Sequence, residues 1–186
     1  MATAAKILGD QVGSAAPVFL AFLAVHIVAG LTAVVGGAIA ALSRKGSPRH
    51  VRSGRHFYRA ISVVFVTATA LAIMRWREDS ELFIIGAFAF AAATIGYQHR
   101  RRHWRGDTGH IVGMGVGYVA MLTAFYVDNG PHLPLLDRLP PLTFWFLPGA
   151  IGTPIITRAV LAARKRSRQA TGSAPLERPQ TGAPRT

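Results

Sequence analysis

Residues 17–42, PVFLAFLAVHIVAGLTAVVGGAIAAL, decide the fold. The run carries no Asp, Glu, Lys or Arg and exceeds the roughly 20 apolar residues that cross a hydrocarbon core of about 30 Å. It is too long for the apolar region of a signal peptide, and the basic cluster SRKG at 43–46 follows it at once, the pattern of a stop-transfer segment. The stretch therefore reads as a membrane span rather than a leader, and the rest of the chain repeats the pattern.

Further apolar blocks occupy Ala60–Trp76, Leu82–Tyr97, Ile111–Val127 and Leu142–Ala163, in a chain of 186 residues that is 51% hydrophobic. The apolar residues come in continuous blocks separated by charged clusters, without the amphipathic period of soluble helices. The expectation is an all-α, polytopic bundle of five transmembrane helices over residues 17–163. A short extracytoplasmic N-terminus (1–16) precedes it, and a basic, disordered tail (164–186) follows, rich after Gln169 in Pro, Gly, Ser and Thr. There is no cysteine, so disulfides, thiolate metal sites and cysteine nucleophiles are excluded.

The net charge of +13 gains its meaning from its placement. Arg44, Lys45, Arg49, Arg52, Arg55 and Arg59 lie around the first connection, Arg100, Arg101, Arg102 and Arg105 in the third, and Arg164, Lys165, Arg166 and Arg168 beyond the fifth block. In a five-span chain all three segments fall on one side, and the positive-inside rule makes that side cytoplasmic. The opposite side collects Asp10, Glu78, Asp79, Glu81, Asp128 and Asp137. The N-terminus is then outside, the C-terminus cytoplasmic, and the location a bacterial inner (plasma) membrane. The basic loops lie beside spans and belong to no soluble reading fold, so the expected partner is anionic lipid at the cytoplasmic face, worth about 1 kcal/mol per base, and not nucleic acid. Small residues on the span faces leave room for a homo-oligomer.

Polar residues inside the spans are the candidates for chemistry, because ionisable groups in a bilayer are costly and usually face the bundle interior. His26 lies about 5 Å outward of the middle of its span at roughly 1.5 Å per residue. It reads as a neutral histidine bonded to a neighbouring helix, as a haem or metal ligand, or as a proton relay. Thr67, Thr69 and Tyr118 are the candidate partners at its level. Gly30 and Gly37 share a smooth face with it, suited to helix packing. In the fourth span His110, Met114, Gly117 and Met121 share one face, and Gly113 with Gly117 forms a GxxxG pair. The methionines read as core fillers before they read as iron ligands.

His26 and His110 differ in depth by roughly 20 Å, whereas two axial nitrogens on one metal sit about 4 Å apart, so they do not clamp one haem. His50, His56 and His110 all lie near the cytoplasmic face and form a candidate site for a metal or an anionic ligand; the bland alternative is that His50 and His56 belong to a solvated anchor on lipid head groups. His99 and His103 read as part of an exposed basic surface. Pro148 and Pro154 in the last span each remove a backbone donor and so predict a kink or break.

HIVAG at 26–30, RHVRSGRHFY at 49–58 and GDTGHIVGM at 106–114 together resemble a bacterial family of predicted membrane proteins known as domain of unknown function 2306, over roughly residues 20 to 127. The resemblance implies the topology above and a recurrent histidine set of His26, His50 and His110. In the family an Arg and an aromatic residue commonly separate the later histidine from a Met; here Ile111 and Val112 stand there. The functional expectation is a non-enzymatic binding or interaction protein with a histidine-containing helix bundle. A b-type haem protein passing electrons within the membrane is the alternative, with haem b as cofactor, and a small transporter is a further one.

Overall fold

The computed structural model describes the backbone of residues 2–102, 106–134 and 138–172, and the side chains of that set except 2–16, Glu78 and 170–172. Five α-helices follow in order: α1 (Ala2–Leu42), α2 (Pro48–Met74), α3 (Trp76–Arg101), α4 (Thr108–Asn129) and α5 (Pro141–Gly172), with a 3₁₀ turn at Gly130–His132 after α4. All five are long and apolar enough to cross a membrane, over Pro17–Leu42, Pro48–Met74, Asp79–Arg101, Thr108–His132 and Pro141–Gln169. The third, fourth and fifth spans run past both ends of the apolar blocks from which they were read, and the second starts twelve residues before its block, because the flanking polar turns stay helical.

Helix extends past the expected span limits at both ends of the chain. Residues 164–172, assigned from sequence to the disordered tail, continue α5 as helix, since Arg, Lys, Ser and Gln all tolerate a helical turn once one has started; residues 173–186 lie outside the described set. At the other end α1 starts at Ala2, so the expected N-terminal segment 1–16 is helical from its second residue. Pro148 and Pro154 do not break the last span: α5 is assigned helix through both. In a span, neighbouring groups can satisfy the carbonyls that a proline strands.

The first connection is short because its ends are capped. Ser47 accepts a hydrogen bond from the His50 backbone N–H at 3.2 Å, Pro48 takes the first helical position, and Gly46 supplies a left-handed residue at φ 81°. The Lys45 ammonium donates to the Ala41 carbonyl at 2.8 Å, closing the α1 end, and partial burial there holds it below its ordinary pKa. α2 passes to α3 through the single residue Arg75, whose guanidinium lies 5.6 Å from the centre of the Phe19 ring on α1.

Packing follows the small residues. On α1, Ala29, Ala33 and Gly36 recur at i, i+4 and i+7 and are buried; a Cβ on Gly36 would stand 3.3 Å from the Phe57 nitrogen of α2. On α3, Ala89, Ala93 and Gly96 make the matching notch for Gly113 and Gly117 of α4. There the backbones nearly touch, for a Cβ on Gly113 would lie 2.6 Å from Gly96 Cα and one on Gly117 would lie 2.8 Å from the Ala89 carbonyl. The expected packing roles of Gly113, Gly117 and Gly37 hold, Gly37 lying under the Tyr118 ring. Gly30 does not share it: a Cβ there would meet nothing. Gly30 and Gly37 point the same way around α1, but α4 meets that face at Tyr118, two turns from Gly30, and the contact between these two helices is narrow.

The α2–α3 contact is built from rings instead. Phe83, Phe65, Phe90, Tyr58 and Tyr97 succeed one another at centroid spacings of 6.1, 4.7, 6.4 and 4.0 Å, each pair within 25° of parallel, and Trp76 extends the series from Phe83 at 5.8 Å. α5 packs chiefly on α4, with Ile156 against Gly115 and Val119 against Gly152. The central cluster of Ala33, Phe57, Ile61, Ala93 and Met121 joins the first four helices, and Met114 packs against it, so both methionines fill the core as expected.

Candidate functional site

Each histidine of the expected set is held by a bond from another helix. His26 Nδ1 stands 2.9 Å from Thr67 Oγ1 on α2. The Thr67 hydroxyl has one proton and two carbonyls within reach in its own helix, Val63 at 2.8 Å and Val64 at 3.0 Å. Its proton is therefore committed to the backbone, and the oxygen accepts from His26 Nδ1–H. Thr67 is also the one buried polar side chain among the described residues, at 4% exposure. Of the three candidate partners named from sequence the structure selects Thr67; Thr69 donates to Phe65 O in its own helix, and Tyr118 OH donates to the Val34 carbonyl at 3.0 Å.

At the basic end of the bundle, His50 Nδ1 lies 2.9 Å from the Ala40 carbonyl of α1, and His110 Nδ1 lies 3.0 Å from the Gly96 carbonyl of α3. A carbonyl only accepts, so both Nδ1 atoms carry a proton, and Nε2 is the atom of each neutral ring left to accept. The two rings face each other with centroids 6.3 Å apart and planes at 84°. Four helices thus converge on two imidazoles, α1 and α2 through His50 and α3 and α4 through His110.

His56 does not join them. It is exposed, and six residues along α2 turn it about 120° away from His50, so the expected site of three histidines is a pair. His26 stands apart as well: sixteen residues separate it from the end of α1 at Leu42, about 24 Å of helix, whereas His110 is in the first turn of α4. His99, expected on an exposed surface, is half-buried with its ring over Gly109, because a glycine there leaves a hollow that the side chain fills; His103 lies outside the described residues. The nearest ion pair is Arg100 with Asp107, Nη1 to Oδ1 at 2.9 Å, spanning the α3–α4 connection.

No group of three or more His, Cys, Asp or Glu able to hold a metal occurs among the described residues. Sequence reasoning did not find the acceptors that fix the imidazoles. Ala40 and Gly96 act through backbone carbonyls, and no side-chain pattern announces those.

Two cavities flank α5. One, of about 360 Å³, lies at the basic end between the start of α4 and the end of α5; the other, of about 350 Å³, lies within the apolar length between α3, α4 and α5 beside Phe88, Thr123 and Trp145.

The fold defines a five-helix bundle with the proportions of a multi-pass membrane protein, carrying a fixed histidine pair at its basic end. The chain matches no protein-family model, no curated protein and no solved structure.

Proposed function

We propose that this chain is an inner-membrane binding protein of the bacterial family it resembles, with its N-terminus outside, and that His50 and His110 together hold an electron-pair acceptor at the cytoplasmic face. The observation that carries this reading is the paired rings, each with Nδ1–H spent on a backbone carbonyl and Nε2 left as a base. Metal-ligating histidines are oriented in this way by a second acceptor, which fixes the tautomer and raises the basicity of the other nitrogen. Imidazole nitrogens about 2 Å from one metal put ring centroids roughly 5 to 6.5 Å apart, according to the angle at the metal, and the observed 6.3 Å lies in that range.

Two protein ligands suit a centre whose remaining ligands come from elsewhere: a zinc or copper ion completed by water, or a haem iron completed by its porphyrin. A haem, if held there, would take His50 and His110 as its two protein ligands and would supply one-electron chemistry. In either case the site belongs to His50 and His110 rather than to His26, whose bond to Thr67 gives it a structural role at mid-depth. The surrounding basic loops add attraction to anionic lipid.

The test is metal and haem binding by the purified, detergent-solubilised chain. Expected is one zinc or copper ion bound per chain, lost in His50→Gln and in His110→Gln and kept in His56→Gln. For haem, a Soret band after expression with ample haem should follow the same pattern and survive His26→Ala. Binding that is absent, or that is equal in all variants, refutes the site.

A further inference from the structure

The cavity between α4 and α5 has a lining that the histidine site leaves unused. Gly106, Asp107 and Thr108 form one wall and Ala163, Arg164 and Arg168 the other, around about 360 Å³. Arg164 and Arg168 are one helical turn apart on α5, so both guanidinium groups belong to the same face. Among the described residues the one carboxylate in the lining, Asp107, already accepts from Arg100, which offsets its charge. Asp107 also makes no side-chain cap on α4, so the first-turn amides there add to a positive field rather than being answered by it. Above this level α5 exposes Ile155 and Leu161, apolar side chains suited to acyl chains.

We infer that this cavity binds a phosphate group, taken either from the head group of an anionic phospholipid or from free phosphate. Guanidinium forks match phosphate oxygens in pairs, which a diffuse basic surface does not provide. Volumes near this one already hold small ligands. The lipid source draws on the membrane reading; nothing here draws on the histidine pair, so the two proposals fail separately.

Two double variants remove equal charge from one stretch of α5. R164Q/R168Q strips the cavity, and K165Q/R166Q takes two neighbours that do not line it. Affinity for phosphatidylglycerol is read on the delipidated, detergent-solubilised full chain by native mass spectrometry, with phosphatidylcholine as the reference lipid and helicity checked by circular dichroism. Diffuse attraction, at about 1 kcal/mol per base, predicts the same loss in both variants, roughly 25-fold. The cavity predicts a loss at least about tenfold greater in R164Q/R168Q. Should that variant fold poorly, R164K/R168K keeps the charge and removes the fork: diffuse attraction predicts native affinity for it, and the cavity predicts a loss of about tenfold from the native chain. Displacement of the lipid by millimolar inorganic phosphate assigns the site to free phosphate, and lipid retained under the same challenge assigns it to a head group. Equal losses in the two double variants overturn the inference.

Discussion

Replacing Gly113 with alanine tests the crossing of α3 and α4 and the histidine it carries in a single experiment. The new Cβ would stand 2.6 Å from Gly96 Cα and from Gly96 N, and 2.8 Å from the Ala92 carbonyl. All three are backbone atoms, so no side chain can rotate out of the way. Carbon pairs rest at about 3.5 to 4.0 Å, so the helices must separate by roughly 1 Å at this point. Overpacking of this kind costs about 1 to 3 kcal/mol. The same movement lengthens the His110 Nδ1 to Gly96 O bond, which stands at 3.0 Å, to about 4 Å, beyond hydrogen-bonding distance; in a membrane that adds about 0.6 kcal/mol. The assay is reversible unfolding in mixed micelles, with the ¹⁵N shifts of His110 reporting its tautomer. The control is Gly149→Ala, where a Cβ meets nothing within 4 Å and alanine should be neutral or favourable by up to about 1 kcal/mol. Expected are a loss of about 2 to 3 kcal/mol for Gly113→Ala and a mixed tautomer at His110. Equal stability in the two variants would refute the crossing. A lost crossing with an unchanged His110 spectrum would refute the link between packing and the imidazole.

Thr67→Val keeps the shape of the buried side chain and removes the acceptor of His26, so a loss of about 0.6 to 1.7 kcal/mol is expected, with a changed His26 ¹⁵N spectrum and unchanged binding at His50 and His110. Tyr118→Phe deletes the hydroxyl bonded to Val34 O across the narrow α1–α4 contact and should cost about 1 kcal/mol in the same unfolding assay, an unaltered stability arguing against that contact. Phe65→Ala interrupts the ring series between Phe83 and Phe90 and should cost roughly 3 kcal/mol, against a near-neutral Phe146→Ala at a side chain 70% exposed. A cytoplasmic reporter fused after Thr186 should be active, and an inactive one reverses the proposed orientation.

The spans were legible because hydrophobic length is a property of the chain itself: the first apolar block and the first helix both end at Leu42. Their ends were less legible, since Pro48–Arg59 is polar yet capped into α2 by Ser47, and polarity alone cannot separate a solvated helical turn from a loop. Of the two outcomes the prolines allowed at Pro148 and Pro154, helix continuity excludes the break, because neighbours decide whether a stranded carbonyl breaks a helix. Small-residue motifs gave the α3–α4 crossing through Gly113 and Gly117 but misread Gly30, for a smooth face says that a helix could approach and not that one does.

The histidines separate along the same line. Depth arithmetic keeps His26 away from His110 and puts His56, with His50, at the level of His110, as rise per residue is fixed. The exclusion of His56 needed only the helical angle, which sequence also holds. The protonation pattern needed the fold, because it depends on where the carbonyls of Ala40 and Gly96 point. Those two carbonyls turn a pair of neighbouring imidazoles into a pair of directed bases, and Gly96 is also the residue on which Gly113 rests. The crossing that lets α3 and α4 approach therefore places the carbonyl that His110 Nδ1 bonds, so the proposed binding at Nε2 should weaken when a methyl group is added one turn away at Gly113.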